Sequence, residues 1–153
     1  MEKFIGLDLG TTTIGIATSD VLGIVHGREN FKFERGNYKK ARNHVLEFAS
    51  REKINNIVIG LPLQIDGQEG ERAYSVRRFV DDLKKENENL VFYFHDERFS
   101  TIEAKSRLDS FNLKVSKEKK MIDMVSAVVI LEHFLGEKYG IKWQSNNYLW
   151  SGR

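Results

Sequence analysis

The apolar residues of the chain fall into short runs with two different spacings. Five runs are rich in branched and aromatic side chains and are bounded by turn residues, which is typical of strands. These five predicted strands lie at residues 3–9, 13–19, 23–34, 57–60 and 90–94. Apolar side chains at helical spacing predict helices over about 37–52, over 71–85, from Ser100 onward, and from Ser116 to about residue 135.

The order of these elements predicts the architecture. Three consecutive strands indicate an antiparallel meander, and the later alternation of helices and strands indicates two parallel strands with crossover helices. We therefore expect an α/β domain with a mixed five-stranded sheet that is flanked by helices. The domain should cover residues 1–136, and the polar and aromatic segment 137–153 should form an irregular tail.

Composition narrows the class of protein without fixing its function. The chain has 153 residues and a net charge of +2, which suits one globular domain but not a strongly basic histone-like protein. It has no cysteine, so disulfides and thiolate metal sites are excluded. The first residues enter a strand without a signal-like leader, and the longest apolar stretch, 125–131, is too short to span a bilayer.

Three acidic residues occur in apolar surroundings. Asp8 interrupts the first strand, Glu97 follows the fifth, and Asp123 shares a helical face with Ala127 and Ile130. Burying a carboxylate costs several kcal/mol unless it is compensated, and a divalent cation is a natural compensation because hard cations take oxygen ligands. The alternative is structural: Asp8 would cap a turn, Glu97 would lie in a solvated loop, and Asp123 would face solvent in the first turn of its helix.

Several neighbouring residues are candidates for substrate binding. Glycine at a turn can take positive φ, and hydroxyl and amide groups there can contact phosphate. Arginine can hold a phosphate with its planar fork, and hydroxyls near a helix N-terminus favour anions. The candidates are Gly10, Thr11 and Thr12 after the first strand, Arg98, Ser100 and Thr101 after the fifth, and Arg72 and Arg77 near the loop 60–67. For each basic residue the alternative is an ordinary solvated charge.

Four motifs, spread in order over residues 4–135, resemble the YqgF family. They are 5–20 (IGLDLG through IGIATSD), 60–67 (GLPL with DG), 96–101 (DERFST) and 122–131 (ID, then A, then IL). Members of that family are named for pre-16S rRNA cleavage or for Holliday junction resolution. The tail after Gly136 is not covered by the resemblance.

The resemblance implies an RNase H-like fold and a bacterial cytoplasmic protein that cleaves nucleic acid with Mg²⁺ or Mn²⁺, as one or two ions. It places the family's acidic catalytic and metal-binding residues on Asp8, Glu97 and Asp123. RNA in 5′-end processing of precursor 16S rRNA is the favoured substrate, with a pre-ribosomal particle as a further expected partner. Branched DNA is the alternative, and either a monomer or a homodimer is compatible with the sequence.

The chain departs from the family pattern at a few positions. Thr12 and Thr13 stand where basic residues are common, Phe99 and Ser100 stand in a segment where two threonines are common, and Ser126 stands beside Ala127 where two alanines are common. Two further readings stay open. The turn after Asp8 also resembles the phosphate loop of sugar kinases and Hsp70-like ATPases, which need a second domain. A non-catalytic ribosome-assembly factor could keep the same fold.

Overall fold

A computed structural model describes residues 1–98, 100–110 and 115–140 of the chain. The elements are β1 (Phe4–Leu9), β2 (Thr13–Ser19), β3 (Val25–Lys32), α1 (Tyr38–Glu52), β4 (Asn56–Leu61), α2 (Glu71–Glu86), β5 (Val91–Asp96), α3 (Ser100–Ser110) and α4 (Val115–Tyr139). Every strand and helix that the apolar pattern predicts is therefore present, with ends that differ by a few residues.

The five strands form one sheet in the order β3-β2-β1-β4-β5. β1 pairs antiparallel with β2, and β2 pairs antiparallel with β3, so the first three strands form the predicted meander. β4 pairs parallel with both β1 and β5. The carboxyl ends of β1, β4 and β5 therefore lie at one edge of the sheet, where α/β proteins bind their ligands.

Alternation along β1 divides the core into two layers. Ile5, Leu7 and Leu9 pack with the apolar faces of α1 and α2, whereas Phe4 packs with the apolar face of α4. α3 packs against the same helix α4 from outside, around the buried side chains of Ala104 and Leu108. The sheet is thus covered on both faces.

Helix α4 approaches the sheet closely because three strand positions are glycine. A Cβ at Gly6 would lie 2.9 Å from the carbonyl oxygen of Ala127, and a Cβ at Gly15 would overlap the carbonyl oxygen of Asp123. A Cβ at Gly60 would lie 2.6 Å from Cδ1 of Ile130. Glycine inside a strand often marks a close backbone approach, and here it lets the middle of α4 lie directly on β2 and β1.

The last helix differs from the prediction at its C-terminus. α4 passes through Gly136 and ends at Tyr139, beyond the predicted end near residue 135. Helical spacing of apolar residues fades after Leu135, but the hydrogen-bonded helix does not need it to continue. Residues 141–153 of the predicted tail lie outside the described residues, so the division at 136/137 stays a prediction.

The observed start of α4 bears on the structural alternative for Asp123. Because α4 begins at Val115, Asp123 lies in its third turn and not in the first. A favourable interaction with the helix N-terminus therefore cannot account for this acid. No helix within the described ranges is long and apolar enough to cross a membrane.

Candidate active site

The three predicted acids are brought together at the carboxyl edge of the sheet. Asp8 lies in β1 with only 7% of its surface exposed. Glu97 directly follows β5 and Asp123 projects from α4, and both are half-buried. The charges of all three interact with one another electrostatically. The elements that supply them are a strand end, a strand-to-helix loop and a helix that crosses the sheet.

Two glycines beside Asp8 make room for the other two acids. Gly15 is the partner of Asp8 on β2, so a side chain there would project on the same side as the Asp8 carboxyl group. The backbone of Asp123 occupies that space. On the other neighbouring strand, a Cβ at Gly60 would lie 2.7 Å from Oε2 of Glu97. The absence of side chains at these two positions therefore fixes where Asp123 and Glu97 can lie.

Asp8 and Glu97 form a hydrogen-bonded pair of acids. Burial raises the pKa of Asp8 well above its usual range, and the charges of Glu97 and Asp123 raise it further, while Arg72 acts in the opposite direction. Burial also raises the pKa of Glu97. The hydrogen bond between the two side chains raises the pKa of Asp8 further, whereas it lowers the pKa of Glu97 against the larger effect of burial.

Asp123 is held by Thr13, a residue that sequence reasoning missed. The Thr13 hydroxyl donates a short hydrogen bond to Oδ2 of Asp123. Burial raises the pKa of Asp123, and this hydrogen bond lowers it by a smaller amount. A signal was present in the sequence: Thr13 and Gly15 are two residues apart in a strand, so both face the side on which Asp8 lies.

The turn between β1 and β2 supports the site differently from the prediction. Gly10 does not have positive φ; instead its amide donates to the carbonyl oxygen of Thr13 at 2.7 Å and closes the hairpin. A Cβ at Gly10 would lie 3.6 Å from Oδ2 of Asp123. Thr11 is half-buried and Thr12 is exposed, so the hydroxyl of Thr12 is accessible to a ligand.

Arg72 is the predicted substrate-binding arginine whose charge acts on the acids. Its Nη2 donates to the carbonyl oxygen of Leu9 at 2.7 Å, and Nη1 donates to the Tyr38 hydroxyl at 3.4 Å. Its positive charge lowers the pKa of both Asp8 and Glu97. Arg72 therefore fixes the end of β1 and partly offsets the charge of the acids.

The other two predicted arginines are engaged in ion pairs. Arg77 donates two hydrogen bonds to Glu69, at 2.7 and 2.8 Å, and its guanidinium lies over the ring of Phe94. Arg98 pairs with Asp96 at 2.7 Å and also donates to the carbonyl oxygen of Ile65. Both arginines fasten the loop 61–70 near the site, so a phosphate would have to compete with a carboxylate for either one. The side chains of Ser100 and Thr101 lie outside the described residues.

The donor set at this edge fits a divalent cation, although the carboxyl groups now have other partners. Among the described residues, no three histidine, aspartate or glutamate side chains are arranged as a metal-binding group. Asp8 and Glu97 instead hydrogen-bond each other, and Asp123 is bonded to Thr13. The three carboxyl groups, one buried and two half-buried, are nevertheless the hard oxygen donors that Mg²⁺ takes, and its charge would offset their mutual repulsion.

Comparison with solved structures identifies the fold. The chain is similar to T. thermophilus RuvC in complex with a Holliday junction substrate, with a TM-score of 0.59 and 18% identity over 92% of this chain and 98% of that one. A second T. thermophilus RuvC structure gives a TM-score of 0.55 at 13% identity. The fold is therefore the RNase H-like α/β fold that the sequence resemblance implies.

Comparison with sequences identifies the family. A Fusobacterium nucleatum protein named "Putative pre-16S rRNA nuclease" is 38% identical over 90% of this chain and 99% of its own length. Proteins of the same name from Chelativorans sp. and Oceanobacillus iheyensis are 39% and 34% identical over 83% and 89% of this chain and 78% and 99% of their own lengths, respectively. The family model described as "RuvX: Holliday junction resolvase" matches residues 2–137. The chain belongs to this RuvX family, which is the YqgF family that its motifs resemble.

Proposed function

We propose that the protein is a divalent-metal-dependent endonuclease that hydrolyses nucleic-acid phosphodiesters. Its substrate in this proposal is precursor 16S rRNA, which it trims at the 5′ end during ribosome biogenesis. The observation that carries the proposal is the group of three acids at one sheet edge, each with a pKa raised by burial. Strongly perturbed carboxyl groups that converge from separate elements are characteristic of catalytic sites.

Asp8, Glu97 and Asp123 would hold the cation, which is Mg²⁺ or Mn²⁺. When bound, such an ion lowers the pKa of water and stabilises charge on phosphoryl oxygens. The surrounding residues prepare the site for it. Thr13 orients the Asp123 carboxylate, and Arg72 holds the Leu9 carbonyl at the end of the strand that carries Asp8.

The names of the relatives favour RNA as the substrate. Relatives at 34–39% identity, aligned over most of the chain, carry a name that refers to pre-16S rRNA. One observation favours a second candidate: the matching family model is described as a Holliday junction resolvase, an enzyme class that acts on branched DNA. The two candidates share the acid site and differ in what the surrounding surface must bind.

The test compares both substrates in one assay. A labelled precursor 16S 5′ fragment and a labelled four-way junction are incubated with the protein in Mg²⁺, in Mn²⁺ and in EDTA. We expect cleavage of the RNA with either metal, no cleavage in EDTA, and none by Asp8→Asn. Preferential cleavage of the junction would show that branched DNA, and not precursor rRNA, is the substrate. A wild-type protein that cuts neither substrate would instead support a non-catalytic assembly factor.

ATP serves as a further substrate in the same assay. The turn after Asp8 resembles that of sugar kinases and Hsp70-like ATPases, but those sites close over the nucleotide between two domains. We expect no steady ATP turnover by this chain. Sustained release of phosphate from ATP would contradict the nuclease proposal.

A further inference from the structure

A polar groove separates α1 from α2 on the sheet face opposite α4. Its volume is about 270 Å³, and its walls are formed by six residues. They are Tyr38, Arg42, Ser75, Arg78, Phe79 and Asp82. No residue of the acid site lines it, so the groove is a separate feature of the surface.

The two arginines of the groove have unused hydrogen-bond donors. Within the described part of the chain, the side chain of Arg78 makes no ion pair or hydrogen bond, and Nε of Arg42 is buried without a hydrogen-bond acceptor. Arg42 forms ion pairs with the carboxylates of Asp82 and Glu86 at 3.6 and 3.7 Å, and both distances are too long for hydrogen bonds. Leaving buried donors unpaired is unfavourable, so an anion with several acceptor oxygens is the complementary ligand.

Arg77 and Arg78 are adjacent in sequence but have different roles. Arg77 is neutralised by two hydrogen bonds to Glu69 and lies over Phe94. Arg78 points instead toward the groove and keeps its charge available. The structure therefore separates a loop-fastening arginine from one that can meet a ligand.

An exposed aromatic ring stands beside Arg78. Tyr74 is 64% exposed, which is unusual for a large ring on a surface helix. It precedes Arg78 by four residues in α2, so the two side chains are neighbours on the helix surface. An exposed ring next to cationic donors is the combination on which unpaired bases stack while their phosphates are held.

The groove is connected to the acid site through one residue. Tyr38 lines the groove and its hydroxyl accepts a hydrogen bond from Arg72 at 3.4 Å. The same guanidinium donates to the carbonyl oxygen of Leu9, the residue after Asp8. Arg72 therefore lies between the end of the strand that carries Asp8 and the residue that begins the groove.

We propose that the α1–α2 groove binds the backbone of a single-stranded nucleic acid whose scissile phosphate lies at the acid site, with Tyr74 stacking on an unpaired base. This inference rests on the proposed nuclease function and adds the form of the substrate. A duplex has no free base face for Tyr74, and the groove is too small for a double helix.

Binding is measured on the Asp8→Asn protein, so that cleavage does not interfere. The ligand is a labelled RNA strand of about 12 nucleotides, compared with the same sequence as a duplex. We expect Arg78→Ala to weaken binding of the strand roughly tenfold and to reduce the salt slope by about 0.7. Tyr74→Ala should weaken it by roughly fivefold or more, whereas Tyr74→Phe, which keeps the ring, should retain the affinity.

The matched control is Lys3→Ala, which removes an exposed positive charge at the opposite end of β1. We expect Lys3→Ala to change affinity less than twofold, because loss of a distant charge contributes only through screened long-range attraction. Equal weakening by Lys3→Ala and Arg78→Ala would mean that only the net charge of the protein matters for binding, and it would overturn the inference. A duplex that binds as tightly as the strand would also overturn it.

The groove and the proposed nuclease function can fail independently. If wild type cuts no substrate while Arg78→Ala and Tyr74→Ala still weaken strand binding, the groove inference stands and the nuclease proposal fails. If wild type cuts RNA while both variants bind like the parent, the groove inference fails alone. Sedimentation that shows a wild-type dimer dissociated by Arg78→Ala would assign the groove to a second copy of this chain, and would also overturn the inference.

Discussion

The two ends of β1 carry similar numbers of charged residues, but the pKa values of their acids are shifted in opposite directions. At the carboxyl end, burial raises the pKa values of Asp8, Glu97 and Asp123. At the other end, a polar pocket contains Asp20 and Glu52, and hydrogen bonds lower the pKa values of both. The same residue types are therefore destabilised as anions at one end and stabilised at the other.

The difference comes from the partners that each end supplies. Asp20 lies 3.0 Å from His26 and accepts backbone hydrogen bonds from Leu22 and Ile24, and Glu52 lies 2.7 Å from Arg28. The acids at the carboxyl end have one another, Thr13, and the partial compensation of Arg72. The comparison thus separates a charge cluster whose acids are compensated from one whose acids are not, and the second arrangement is the one expected where a ligand completes the site.

The largest expected effect is a loss of cleavage activity when an acid at the carboxyl end of β1 is replaced. We expect Asp8→Asn to reduce cleavage by at least about 10³-fold, because losing a metal ligand removes several kcal/mol of transition-state stabilisation. In metal-free buffer the same variant should melt at or above the wild-type temperature, because burial and the neighbouring acids disfavour ionisation of Asp8 and asparagine cannot ionise. Thermal melting without metal and cleavage with metal are the paired measurements.

The sign of the pH dependence follows from the raised pKa of Asp8. A carboxyl group whose folded pKa exceeds its unfolded value destabilises the fold at high pH, and this cost disappears as pH falls through the folded pKa. The melting advantage of Asp8→Asn should therefore be largest near neutral pH and should shrink in acid. A variant that melts like wild type but cleaves at a comparable rate would remove Asp8 from the catalytic site.

A buried carboxylate away from both ends provides a second test. Glu132 is 3% exposed and lies 2.8 Å from Arg107, which is itself 5% exposed and links α4 to α3. We expect Arg107→Leu to reduce the free energy of unfolding by about 3–5 kcal/mol, because it leaves a buried charge without this partner. Chemical denaturation measures the loss.

The matched control for Arg107→Leu is the double variant Arg107→Leu with Glu132→Leu. It removes both charges from the α3–α4 contact and should recover most of the lost stability. Recovery would show that buried acids outside the active site depend on a fixed counter-charge. If Arg107→Leu were as stable as the wild type, a buried carboxylate that loses its counter-charge would not destabilise this protein. Burial alone would then not distinguish the acids at the carboxyl end of β1 from other acids.

The sequence predicted the elements well because its periodicity and turn residues are local signals. The helix predicted over about 37–52 begins at Tyr38, directly after Asn37, whose side chain accepts a hydrogen bond from the amide of Lys40. The three acids were found from their apolar surroundings. The structural alternative for Asp123, a place in the first turn, does not fit the predicted helix start at Ser116, and α4 begins at Val115. The ion pair between Arg77 and Glu69 depends on how the loop 61–70 folds back, and no local pattern encodes that.

The roles of the strand glycines were also beyond sequence reasoning. Gly15 and Gly60 looked like ordinary members of apolar runs, yet they set the distance between α4, the loop after β5 and Asp8. Their meaning depends on which element packs over them, and this is a property of the tertiary fold. The role of Thr13 depends on tertiary structure in the same way, because it rests on the hydrogen bond to Asp123.

A smaller effect is expected from Gly60→Ala, which disturbs the carboxyl end without removing an acid. The new methyl group would lie 2.6 Å from Cδ1 of Ile130 and 2.7 Å from Oε2 of Glu97. We expect a stability loss of about 1–3 kcal/mol from overpacking, and roughly tenfold slower cleavage because Glu97 must move. Adding Ile130→Val should restore stability but not the rate. Recovery of the rate by Ile130→Val would mean that the position of Glu97 is not critical.

The smallest expected effect is that of Asp20→Asn at the opposite end, and it should have the opposite sign to Asp8→Asn. Because the pKa of Asp20 is lowered, chiefly by the hydrogen bond with His26, its contribution to stability is present above the unfolded pKa and is lost as pH falls through the folded value. Asp20 is substantially exposed, so the loss near neutral pH should be below about 1 kcal/mol. Cleavage should be unchanged, and at a pH below the folded pKa of Asp20 the variant and the wild type should converge in melting temperature. An Asp20→Asn protein that is more stable than wild type at neutral pH would show that the two ends of β1 do not differ in the way their charges are compensated.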